Sequence, residues 1–268
     1  MTQHPQQSKK TLWWTPRDVP VGHSLHGSMG ALELSLGHDT DEWLLDCAPV
    51  AEEEIRPGAN LKVAKGLPEA VAERFVHAGQ SDRVHLSPML ADRPVVIRPR
   101  QPIFLLSQQT VTLYLSTPIW LKIQVGEPAV LLKEFPAQPL SDTWFGPSTR
   151  EGELCYAGRT HARHNPSELP RRPHRAITPL TILNKASTPL PLEKFSLPVP
   201  MLALYGDVDG MLWTQAVTLT REGQTDLASV QIDSRPPDAA KGLTRLAPPR
   251  QEPGRSGLVR AFSLLFGT

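Results

Sequence analysis

"VTLYLSTPIWLKIQV", residues 111–125, decides the fold class. Val111, Leu113, Leu115, Ile119, Leu121, Ile123 and Val125 all occupy odd positions, while Thr112, Ser116, Lys122 and Gln124 occupy even ones. A 3.6-residue helical period scatters those apolar residues around the axis, whereas a strand sets them on one face. The run is therefore read as β structure, and Pro118, with no N–H to give a ladder, marks a bend or an edge inside it.

The same alternation recurs on both sides. "ALELSLG" places Leu32, Leu34 and Leu36 opposite Glu33 and Ser35, "DEWLLDC" does the same with Trp43, Leu45 and Cys47, and "GHDTDE" between them reads as a hairpin turn. "MLALYGDVDGMLWTQAVTLT", 201–220, carries a Gly/Asp turn between two apolar runs, and "REGQT" is a further turn. The stretch 67–79, "LPEAVAERFVHAG", fits either a short helix or a segment ending in a strand, and both stay open. The chain has 28 prolines, about twice the usual 5% share, which favours strand ends and turns over long helices.

These patterns predict an all-β protein: an antiparallel β-sandwich-like core, one large or two fused small sandwiches, with a short C-terminal helix. Residues 1–19 are expected to be disordered or extended, 20–233 to form the core, 234–257 to be a Pro-rich linker and 258–268 a short amphipathic tail. In that tail Leu258, Phe262 and Leu265 fall at i, i+4 and i+7. It either covers an apolar face of its own domain or docks on a partner.

Charge and cysteine content narrow the function classes. The net charge of +1 gives no global field toward nucleic acid or anionic membrane. No apolar run reaches the 18 or so residues that span a bilayer, and the N-terminus lacks the apolar stretch of a secretory signal. Cys47 and Cys155 are too few for a disulfide scaffold; one bridge between them stays open, but free thiols in a cytoplasmic protein are the expectation.

The richest run of reactive side chains is 140–165, "LSDTWFGPSTREGELCYAGRTHARHN". As a straight strand, Cys155 and His161 would share a face but stand roughly 20 Å apart, too far for a nucleophile–base pair unless the chain turns at Gly158. His161, His164 and His174 lack the paired spacing of a zinc site. "GHSLHG", 22–27, misses the serine-hydrolase elbow because His26 stands where a small residue is required. "YGDVDG" has no glutamate to complete a calcium loop. No catalytic residue, metal or cofactor is expected.

The more promising feature is basic. Arg159, His161, Arg163, His164, Arg171, Arg172 and Arg175 fall within seventeen positions against Glu168 alone, and suit a phosphate or carboxylate. An acidic run at 39–54 could face them. Nucleic acid is not expected, since the basic run lacks interleaved aromatics for stacking. The leading expectation is a non-enzymatic binding or accessory module that takes a protein partner or a small anionic ligand. The alternative is a hydrolase-type enzyme acting on an anionic small molecule through 140–175, with Asp142, Cys155 and His161 converging.

Four stretches together resemble a known family: "ADRPVVIRP" (91–99), "LYLSTPIWLKI" (113–123), "LSDTWFGPSTREGELCYA" (140–157) and "LPLEKFSLPVPMLALY" (190–205). They are similar to the domain of unknown function 432 of bacteria and archaea, over roughly residues 20–220. The resemblance implies a soluble prokaryotic protein and agrees with the strand reading. It brings no catalytic residues.

Overall fold

The computed structural model describes residues 12–77, 79, 81–148, 150–160, 162–223, 227–252 and 258–262, the backbone alone for 258–260. His161, Leu265 and residues 1–11 lie outside the described residues. Strand accounts for 52% of the described residues and helix for 4%. The helical residues are short 3-10 turns at Glu52–Glu54, Pro166–Glu168 and Val199–Met201, so the all-β expectation holds.

The deciding run forms two strands in two different sheets. Thr110–Pro118 pairs antiparallel with Arg175–Asn184 over its whole length, from Thr110 opposite Leu183 to Pro118 opposite Arg175. The chain then changes sheet at Ile119, whose N–H donates to the His174 carbonyl at 3.3 Å, and Trp120–Val125 pairs with Arg83–Met89 and Val130–Pro136. From Leu113 to Val125 the odd-numbered apolar residues are all fully buried, as one buried strand face requires.

Where one or two sandwiches of antiparallel sheets were expected, the described residues form five sheets, of eight, five, four, four and two strands. Two contain parallel pairs. Arg175–Asn184 runs parallel to Val217–Arg221 and Leu212–Thr214, and Glu153–Thr160 runs parallel to Val95–Pro99. Period-two alternation is the same for either direction, so sequence patterning could not separate them. The hairpins at 39–41 and 207–211 fall where expected, the second braced by Asp207, whose carboxylate accepts from the Asp209 and Met211 amides and the Trp213 indole. The open stretch at 67–79 resolves as a strand, Glu73–Val76, on the edge of the five-stranded sheet.

The principal hydrophobic cluster draws on residues from Trp13 to Phe262, which brings both ends of the described chain into one core. Within 1–19, Trp13 is buried and Arg17–Asp18 pairs with Arg83 and Val84. Within 234–257, Thr244–Ala247 pairs with Leu204–Gly206, and the Arg250 guanidinium reaches the Leu90 carbonyl at 2.7 Å and the Glu134 carboxylate.

The expected C-terminal helix is replaced by a strand. Leu258–Arg260 pairs antiparallel with Leu227–Ser229, the Ser196 amide donates to the Ala261 carbonyl at 2.8 Å, and Phe262 bridges to Phe195 in the core. A helix this short does not sustain itself, whereas the free edge of Leu227–Ile232 offers backbone partners at once. Phe262→Ala should therefore destabilise the protein by about 3 kcal/mol, read as a shift of the urea midpoint; an unchanged midpoint would show that the segment does not pack on the body.

Candidate functional site

The basic run does not form one patch. It is divided by the entry of the Arg175–Asn184 strand. In "LPRRPHR", 169–175, Leu169 is buried against Ile177, Ala203, Tyr205 and Trp213, which anchors the segment. Pro173 disfavours helical backbone at Arg172, and Arg171 is exposed while Arg172 is half-buried.

Arg175 then turns inward. It is 9% exposed, donates Nε to Ser116 Oγ at 2.6 Å and Nη1 to Gln138 Oε1 at 3.0 Å, and bonds the Ser116 carbonyl through Nη2. Burial, and then Arg172, pull its pKa down to about 10. A guanidinium satisfied by three neutral acceptors inside the fold is a structural clamp, and Arg175 leaves the group of ligand candidates. His174 is fully buried with both ring nitrogens unpartnered among the described residues. Gly30, at φ +63°, lies so close that a Cβ there would come within 1.9 Å of His174 Nδ1.

Arg171 and Arg172 line an open cleft with Leu12, Trp13, Pro57 and Met211. Among the described residues neither arginine has an ion pair or hydrogen-bonded partner for its guanidinium. Trp13 is 5% exposed, and its indole N–H is buried with no hydrogen-bond partner among the described residues. Asp209 is the one carboxylate of the lining. Sequence reasoning did not include Leu12 and Trp13, which fall in the segment expected to be disordered or extended; the adjacent tryptophans at 13 and 14 were the available signal.

The remaining candidates lie elsewhere. Arg159 is exposed on the Glu153–Thr160 strand, in register with Arg98. Arg163 exchanges backbone hydrogen bonds with Tyr114, and His164 is exposed. The acidic run meets the basic run only at a wall: Glu53 and Glu54 line a separate cleft with Glu33 and Arg56, which shares Pro57–Ala59 with the arginine cleft. Glu42, in the same run, is bonded to Arg74.

The 140–165 residues do not converge. Asp142 stands opposite Tyr156 and Thr143 opposite Cys155, so Asp142 and Cys155 point to opposite faces of the sheet. Cys155 is fully buried, and burial followed by Glu153 pushes its thiol up to about 12, which removes the thiolate a nucleophile needs. Cys47 and Cys155 are both free. Ser24 lies within the His23–Met29 strand rather than at a strand-to-helix turn. Among the described residues no three His, Cys, Asp or Glu side chains are grouped to hold a metal ion.

The fold defines a mainly β protein with several sheets. The chain belongs to the family described as Protein of unknown function (DUF432), whose sequence model matches residues 13–266. No curated protein and no solved structure matches it. No helix in the described residues is long and apolar enough to cross a membrane.

His174 gives a pH signature. Burial, then Arg175 and Arg172, pull its pKa from 6.5 to about 3. Between those values the unfolded chain binds a proton that the folded chain refuses, so stability falls as pH drops from 6.5 toward 3, by up to about 1.4 kcal/mol per unit. His174→Leu should flatten the difference between urea midpoints at pH 5.5 and 7. An equal slope in both proteins would show that the imidazole titrates in the folded state.

Proposed function

We propose that this protein is a non-enzymatic binding or accessory module whose ligand is a small anion with an apolar body, held in the Arg171–Arg172 cleft. One observation carries the reading: two guanidiniums without ion-pair partners among the described residues line one cleft with the apolar side chains of Leu12, Trp13 and Met211. Leu12, Trp13, Met211 and the flanking prolines supply apolar walls, and the two arginines supply charge-assisted hydrogen bonds to a carboxylate, sulfonate or phosphate. A cytoplasmic location is part of the reading and rests on the two unbridged cysteines, which a reducing compartment keeps as thiols.

Anilinonaphthalene sulfonate, an anion on an aromatic body, is a suitable first probe. Its fluorescence should rise on binding the native protein, and Arg171→Gln with Arg172→Gln should weaken that binding about tenfold while the melting temperature holds. Undiminished binding by the double variant would refute the assignment of the cleft.

A further inference from the structure

Arg159 belongs to a different surface, and that surface has a second cation the basic run did not include. The four-stranded sheet of Asp142–Phe145, Glu153–Thr160, Val95–Pro99 and Phe195–Leu197 turns one face to the main core through Val95, Ile97, Phe195 and Leu197. Alternation sends Thr143, Phe145, Cys155, Ala157, Arg159, Val96 and Arg98 to the other face. At one end of that face Val96, Phe145 and Cys155 make a small separate apolar cluster. At the other end stand the cations.

Arg159 is directly opposite Arg98 in parallel register, on strands about 4.8 Å apart. The antiparallel register of Phe195 with Ile97 continues to place Lys194 beside Arg98 on the next strand. Lys194 is already engaged: its ammonium donates to the Trp144 carbonyl at 3.2 Å and lies over the Phe145 ring. Arg98 and Arg159 are not, and among the described residues neither guanidinium has a hydrogen bond or an ion pair. Like charges facing each other across a strand pair are destabilising, so the arrangement costs stability in the empty protein.

The two arginines line a cleft with Gln138, Ser141, Asp142 and Thr143. Asp142, its one carboxylate, is turned toward Arg93 at 3.3 Å. Gln138 is oriented by the core: Arg175 has only donors, so the atom it meets is the amide oxygen, and the amide nitrogen is left as a donor for the cleft. Of the remaining lining side chains Ser141 and Thr143 offer hydroxyls, and Pro139, Leu140 and Ala157 are apolar.

We propose that this cleft is a phosphate-ester site, separate from the Arg171–Arg172 cleft, in which Arg98 and Arg159 hold the phosphoryl group of a small hydrophilic molecule and Gln138 donates a further hydrogen bond. A phosphoryl group fits better than a carboxylate for two reasons. Its charge of about −1.5 to −2 matches two unpaired cations, and its tetrahedral oxygens reach both forks at once, whereas one carboxylate is satisfied by one arginine. No aromatic ring lines the cleft to stack a base, which sets single-stranded nucleic acid aside.

Inorganic pyrophosphate, titrated by calorimetry at moderate salt, tests the site. The expected result is saturable binding, weakened about tenfold or more by Arg98→Gln and by Arg159→Gln, with melting temperatures unchanged or raised as the facing charges are relieved. Arg171→Gln with Arg172→Gln should leave pyrophosphate affinity within about twofold, which separates this site from the first cleft. Succinate, a dianion of planar carboxylates, should bind about tenfold more weakly. The proposal is overturned by absent binding, by loss of binding in the Arg171/Arg172 variant instead, or by equal affinity for succinate, which would make the cleft a general dianion site.

Discussion

The ladder between Thr110–Pro118 and Arg175–Asn184 is the constraint on which the rest of the molecule depends. Arg175–Asn184 pairs on one side with that strand and on the other with Leu212–Thr214 and Val217–Arg221. Eight of its ten residues are buried, and each large apolar side chain so buried contributes roughly 1.5–3 kcal/mol. Its buried polar groups are matched internally: Thr178 bonds Thr117 at 2.7 Å and Thr214 at 3.0 Å, and the Asn184 amide bonds the carbonyls of Leu105, Leu106 and Thr188. A one-residue slip would break all of these contacts and turn the apolar face outward.

That register also determines where the basic residues go. Because Arg175 is fixed opposite Pro118, its guanidinium is committed to Ser116 and Gln138, and the two preceding arginines must leave on the surface side. Arg159, on another sheet, is brought beside Arg98 by a parallel pairing. A run continuous in sequence thus becomes one clamp and two clefts. Gln138 touches both systems, since the oxygen that satisfies Arg175 leaves its nitrogen to the second cleft.

The strands were legible where alternation was strict, as at 111–125, and the hairpins where Gly and Asp cluster, as at 207–211. Pairing partners were not legible: nothing local in Glu153–Thr160 names Val95–Pro99 as its neighbour, so Arg98 could not be added to the candidates from sequence. Arg175 sits in a run of charge that looks like a solvated loop, and only the ladder shows that its guanidinium is turned onto Ser116 and Gln138. The tail was misread because Leu258, Phe262 and Leu265 satisfy helical spacing, while the decisive factor was an unpaired strand edge far away in sequence. Trp13 was overlooked because the polar residues before it suggested an unstructured end.

The central claim is that two surface clefts, and not the buried Arg175, are where this protein meets anions. Crystals grown without competing anions and soaked in tungstate would test it directly through anomalous density. The account predicts peaks between Arg98 and Arg159 and beside Arg171 and Arg172, with none at Arg175. Density confined to other surface cations, or absent from both clefts, would contradict it.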